Sequence, residues 1–93
     1  MRPGLQVEQT RSKADKAYNA ANDLQRAGQF ELAVAQYDRA LKLRPKWPEA
    51  LTNRGVALLI LDRAEDAVAS YDRALAIRPT FALALSNRGN ALC

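Results

Sequence analysis

Histidine is absent from this chain of 93 residues, and cysteine occurs once, at the last position, Cys93. Without an imidazole there is no His-based acid–base catalysis, no Ser-His-Asp or Cys-His nucleophile, and none of the commonest zinc ligand. A single thiol excludes an intrachain disulfide and a thiolate cluster, so a secreted disulfide scaffold is ruled out and no metal or cofactor is expected. No stretch reaches the ~20 apolar residues of a membrane span. The opening Met1-Arg2-Pro3-Gly4-Leu5-Gln6-Val7-Glu8 has no signal-peptide core, so a cytoplasmic location is expected. Asp, Glu and Tyr are left to do chemistry, and they form no constellation of an active site; the expectation is that this is not an enzyme.

What is present reads as a foldable chain. Apolar residues make up 48% and charged residues 26%, unlike disordered or collagen-like sequences, and the length admits one domain. Fourteen basic residues against 10 acidic leave a net charge of +4, enough to raise nucleic acid as a partner and too little to assign it.

Shifting the sequence by 34 residues aligns it with itself. Ala33-Val34-Ala35-Gln36-Tyr37-Asp38-Arg39-Ala40-Leu41-Lys42-Leu43-Arg44-Pro45 returns as Ala67-Val68-Ala69-Ser70-Tyr71-Asp72-Arg73-Ala74-Leu75-Ala76-Ile77-Arg78-Pro79. The block Ala50-Leu51-Thr52-Asn53-Arg54-Gly55-Val56-Ala57-Leu58 returns as Ala84-Leu85-Ser86-Asn87-Arg88-Gly89-Asn90-Ala91-Leu92. Apolar residues recur at helical spacing and strand alternation is absent, so each unit is a pair of helices. Pro45, Pro48 and Pro79 end or open helices, and Gly28 suits a left-handed helix end. These signals predict five helices near 12–27, 30–43, 48–61, 64–77 and 82–92. Residues 1–11 read as an N-terminal tail and 12–93 as the domain, with repeats at 14–47 and 48–81 and a partial one at 82–93. Arg44 and Arg78 fall where cations complement a helix C-terminus.

This pattern resembles the tetratricopeptide repeat family, whose 34-residue helix-turn-helix unit sets small, Gly, aromatic, Ala and Pro residues at fixed offsets. The resemblance covers about residues 14 to 93. Gly55 and Gly89 match the first-helix Gly, with Ala21 in its place in the first copy. Ala33, Tyr37, Ala40 and Pro45, then Ala67, Tyr71, Ala74 and Pro79, match the second helix. The family's large aromatic early in the first helix is missing, since Ala17, Leu51 and Leu85 stand there. Asp62 replaces the turn glycine represented by Gly28, and Ala64 replaces Phe30, so the second turn should be the softer one. The resemblance implies an all-α fold, a right-handed α-solenoid of antiparallel helix pairs, here about five helices.

In such an array the first helix of a repeat packs back on the preceding repeat. Ala50 and Ala57, then Ala84 and Ala91, form that stripe, while Lys16 and Asp23 replace it in the first copy and give a polar N-terminal end. Leu85 and Leu92 occupy positions that would meet a second helix not contained in these residues. Two and a third repeats fall below the three such arrays usually need. A closed homodimer through the C-terminal helix is therefore expected, at Leu85 and Leu92. The alternative is a fragment of a longer repeat scaffold with a structural role.

The candidate functional feature is Asn19, Asn53 and Asn87, one per first helix. Asparagine costs a helix ~0.5 kcal/mol relative to Ala, so its retention where neighbours diverged points to a use. Family members with such a ladder grip a peptide backbone with the amides, and the resemblance implies a protein or peptide partner in the concave groove. Local hydrogen bonding between helices is the competing explanation. By helical phase the groove also holds Tyr18, Asn22, Thr52, Val56, Ile60, Ser86 and Asn90, with Tyr18 the best anchor.

Some family members clamp acidic chaperone C-termini with Lys, Asn, Asn, Lys and Arg. Asn22 and Asn53 fit the two Asn places, but Tyr18, Leu83 and Asn87 stand at the cationic ones, so that function is set aside. Nucleic acid ranks behind protein because Arg39, Arg44, Arg73 and Arg78 are interspersed with Asp38 and Asp72 on the convex face. Arg54 and Arg88 read as packed stems with heads in water. Trp47 and Phe81, two residues after each turn proline, read as packing between repeats. Cys93 is either incidental or half of an intermolecular disulfide.

Overall fold

The computed structural model describes residues 3–92, with side chains from Thr10 onward; Cys93 and any disulfide through it lie outside the described residues. Five helices follow one another: α1 (Pro3–Arg26), α2 (Phe30–Leu43), α3 (Pro48–Ile60), α4 (Ala64–Ile77) and α5 (Ala82–Leu92), with no strand among the described residues. Four of the five match the predicted spans to within one residue.

The first helix does not, because it begins at Pro3 rather than near residue 12, so helix replaces the expected tail from Pro3 onward. Proline is at home in a first helical turn, where its missing N–H has no partner to lose, and between Leu5 and Lys13 no Pro or Gly interrupts the helix.

Two helix ends repeat one device. Pro45 and Pro79 bar the helical conformation to the residue before them, and Arg44 (φ −139°, ψ 84°) and Arg78 (φ −133°, ψ 89°) leave the helix there. Each guanidinium then lies over the ring three residues on, Arg44 4.4 Å from the Trp47 centroid and Arg78 5.2 Å from Phe81. Pro48 opens α3, with Trp47 extended before it.

The two helix-helix turns are also copies. Gly28 takes φ 80° and Asp62 takes φ 63°, both left-handed. Gly28 and Gln29 donate back to the Gln25 and Leu24 carbonyls, as Asp62 and Arg63 do to Leu59 and Leu58, the paired bonds of a Schellman closure. Glycine enters this conformation freely; an Asp side chain does so at a cost.

Consecutive helices pack antiparallel, and α3 also touches both α1 and α5, so α1, α3 and α5 form one layer and α2 and α4 the other. The core runs through small residues: Ala14, Ala17, Ala40, Ala50, Ala74 and Ala84 surround Leu41, Trp47 and Leu51 across the repeat junctions. Trp47 and Phe81 are junction residues, as their spacing predicts. Inside the second repeat a Cβ on Gly55 would lie 2.4 Å from the Tyr71 ring, so only glycine admits that ring. On α5 Ala84 is buried, while Leu83, Leu85 and Leu92 are 51%, 51% and 60% exposed.

Candidate functional site

The α1–α3–α5 layer carries the predicted Asn residues, and its polar centre lies at the first junction. Asn53 on α3 donates from Nδ2 to the Tyr18 hydroxyl at 3.2 Å and to Asn22 Oδ1 at 3.3 Å, both on α1. From the second layer Tyr37 reaches the same place, its hydroxyl 2.5 Å from Asn22 Oδ1 and 2.8 Å from Gln25 Oε1. A phenol has one proton to give; Asn22 Oδ1 already accepts from Asn53, so the phenol donates to Asn22 and Gln25 can turn its NH2 towards the phenol oxygen. Asn22, Gln25, Arg26, Tyr37 and Asn53 line an open cup of about 290 Å³. Arg26, at its edge, is paired with Asp23.

Aromatic rings pack beside this cup. Tyr18 stacks on Trp47 with centroids 4.4 Å apart and meets Tyr37 edge-on at 6.1 Å. Burial pushes the Tyr37 phenol up to about 12; Tyr18 adds to the rise, and Asn53 and Arg26 pull against it. The phenol is therefore a neutral donor at physiological pH. Asn53 Oδ1 and Asn22 Nδ2 make no hydrogen bond among the described residues, which leaves one acceptor and one donor unused on side chains that line the cup.

Among the residues predicted for the groove, Tyr18, Asn22 and Asn53 come together; the others do not join them. Asn19 is exposed on α1 and Asn87 half-buried on α5, and neither makes a side-chain hydrogen bond among the described residues, so the three Asn do not form a bonded ladder. Thr52 is not a groove residue: its side chain is wholly buried and its hydroxyl has no partner. The reason is that α1 and α5 flank α3 on both sides and narrow its open arc. Val56 is half-buried, and Ile60, Ser86 and Asn90 are exposed. Leu85 and Leu92, named for self-association, are exposed on α5.

Sequence reasoning missed Gln25 and Tyr37 as parts of the site, having matched Tyr37 only to the repeat's second-helix pattern. The cue was available in Asn22 and Gln25, two amides three residues apart on one helical face, with a tyrosine on the next helix. Arg54 and Arg88 depart from expectation as well. Their heads do not stand free in water but bond back to the preceding helix, Arg54 Nε to Asp38 Oδ1 at 2.6 Å and Arg88 Nε to Asp72 Oδ1 at 2.5 Å. These are surface pairs and contribute little each, though they neutralise both Asp residues.

Among the described residues no group of three or more His, Cys, Asp or Glu is placed to hold a metal, and no helix is long and apolar enough to cross a membrane.

A family model for the tetratricopeptide repeat matches residues 18–80. The chain belongs to the tetratricopeptide repeat family. No curated protein sequence matches it. Among solved structures, this tetratricopeptide repeat chain is similar to the first TPR of Spaghetti (RPAP3) bound to the HSP90 peptide SRMEEVD, at 26% identity and TM-score 0.84, covering 87% of this chain and 64% of that one. The Sgt2 TPR domain from Aspergillus fumigatus gives 27% identity and TM-score 0.81 over 84% of this chain and 52% of its own. The chain thus spans between half and two thirds of those two structures' length. The second TPR of Spaghetti, at 22% identity and TM-score 0.87, shows the fold alone, over 94% of this chain and 81% of that one. The fold is a right-handed α-solenoid with two tetratricopeptide repeats and the first helix of a third.

Proposed function

We propose that this chain is a non-enzymatic protein-interaction module of the cytoplasm that holds an extended peptide against the α1–α3–α5 layer. The observation that carries the reading is the Asn53–Asn22–Tyr37 cup, where hydrogen bonds fix two amides and leave an acceptor and a donor unused. That is the pair a peptide backbone requires, one N–H and one C=O, whatever its sequence. Asn19, Val56, Ile60, Ser86, Asn87 and Asn90 extend the surface along the layer, and Tyr18 contributes as the wall behind Asn53.

The similar structure with a bound peptide supports the class of ligand. An acidic chaperone tail is a poor fit to this chain, because Tyr18 is occupied by Trp47 and Leu83 and Asn87 carry no charge at the remaining places. Peptide affinity is expected to be weak, given so small a surface.

The test is Asn53→Ala, with peptide capture measured on an array of extended peptides and stability by urea unfolding. Capture should fall by more than the stability does. Equal loss of both would assign Asn53 to helix-helix bonding and sink the groove reading.

Self-association forms a second part of the proposal, supported by the exposure of Leu83, Leu85 and Leu92 on α5. Two copies facing each other through α5 would cover these side chains, each contributing ~1.5–3 kcal/mol if fully buried. Light scattering decides it, since a monomer at micromolar concentration is incompatible with the dimer.

A further inference from the structure

The two repeats treat one seat differently. In the second repeat, Trp47, Ala50 and Leu51 on the α3 side and Ser70 on α4 are all buried, and α2 lies against them, with Ala40 and Leu41 joining Trp47, Ala50 and Leu51 in one cluster. A shift of 34 residues back maps this seat onto Lys13, Lys16, Ala17 and Gln36. In the structure these four residues, with Arg39, Lys42 and Leu43, line an open cleft of about 610 Å³ between α1 and α2. The seat that α2 fills in one repeat is therefore empty in the other among the described residues.

Its chemistry is also changed. Ala17 and the half-buried Leu43 keep an apolar floor, while Lys13, Lys16, Arg39 and Lys42 set four cations around it. No carboxylate lines the cleft among the described residues, and none of these cations is in a salt bridge there. Asp38, adjacent in sequence to Arg39, is turned away and neutralised by Arg54. The cations come from two helices, so the sequence reading set Arg39 on a sign-mixed face and Lys16 at the polar N-terminal end; the pairing of 13–17 with 36–43 gathers them.

We propose that this end cleft seats an acidic amphipathic helix from a partner protein, its apolar side on Ala17 and Leu43 and its carboxylates on the four cations. The shape argues for a helix, because a helix fills the equivalent seat one repeat later. The charge argues for an acidic one and against a second copy adding head to tail: α5, the helix such a copy would offer, carries Arg88 as its one charged residue. This surface is separate from the Asn53 cup and does not rest on it.

The experiment is fluorescence anisotropy on the full chain with a labelled helical peptide of about 18 residues, Leu at helical a and d spacing and Glu elsewhere. Controls are the same composition scrambled to remove the apolar stripe, and a short DNA duplex. The amphipathic peptide should bind, the scrambled one should bind at least about tenfold more weakly, and high salt should weaken both. Lys16→Glu on α1 and Arg39→Glu on α2, both at exposed positions, should each weaken binding by about tenfold with circular dichroism unchanged, while Asn53→Ala leaves it intact. Several results would overturn the proposal: no binding, equal binding of the scrambled peptide or the duplex, or indifference to both charge reversals. Loss with Asn53→Ala would transfer the ligand to the cup.

Discussion

Tyr37 on α2 and Tyr71 on α4 stand one period apart and both are fully buried, yet their hydroxyls have opposite fates. That of Tyr37 is bonded to Asn22 and Gln25, and that of Tyr71 is buried with no partner. The cause lies 34 residues further along the facing helix, where Val56 and Leu59 replace Asn22 and Gln25. Removing the two hydroxyls should therefore have opposite signs. Tyr37→Phe leaves amides facing an apolar ring edge and should cost about 1–2 kcal/mol, whereas Tyr71→Phe removes a desolvated, unbonded group and should be neutral or stabilising by up to about 1 kcal/mol. Urea unfolding of both variants checks this, and equal losses would contradict it.

Alkaline pH probes the same phenol. Tyr37 titrates near 12 in the fold against 10.0 for a free tyrosine, and burial raises Tyr71 in the same direction. Between these values the unfolded chain has lost protons the folded one retains, so stability is undiminished below pH about 10 and falls as pH rises to about 12, by about 2–3 kcal/mol from Tyr37. Tyrosinate absorbance should show Tyr37 and Tyr71 titrating above the range of a free tyrosine, and Tyr37→Phe should remove one of these late transitions. No change in the late absorbance on Tyr37→Phe, in a chain that is still folded, would refute the buried cup.

Asp62 holds a left-handed turn that Gly28 holds in the first repeat, with the same pair of closing hydrogen bonds. The Cβ of Asp62 makes that conformation costly, so Asp62→Gly should stabilise the fold by about 0.5–1 kcal/mol. Gly28→Asp should do the reverse. Thermal unfolding of the two variants measures both, and a loss with Asp62→Gly would mean that the carboxylate makes a compensating contact.

The repeat period, the prolines and Gly28 made four of the five helices legible to within a residue, because each of those signals acts locally. The N-terminal part of α1 was not legible, because between Leu5 and Lys13 nothing distinguishes tail from helix except the lack of a breaker. Asn53 was singled out by its recurrence, but its hydrogen-bond partners Tyr18 and Asn22 lie 35 and 31 positions away in the numbering, and only packing brings them together. Thr52 was misplaced for a related reason, since helical phase shows which way a side chain points but not how far the flanking helices close over it. The cationic cleft escaped notice because its residues divide between two helices.

Gly55 on α3 and Gly89 on α5 separate packing from propensity. A Cβ at Gly55 would meet the Tyr71 ring at 2.4 Å, whereas one at Gly89 would meet nothing within 4 Å. Gly55→Ala should therefore force the ring aside and cost about 1–3 kcal/mol, while Gly89→Ala gains the helix preference of alanine and should stabilise α5 by about 0.5–1 kcal/mol. The second change also bears on self-association. Where α5 stands free, the gain appears at every protein concentration; where a second copy packs against Gly89 as Tyr71 packs against Gly55, the gain turns into a loss as concentration rises. Thermal unfolding of Gly89→Ala across a hundredfold range of concentration, on the order set by micromolar association, separates the two.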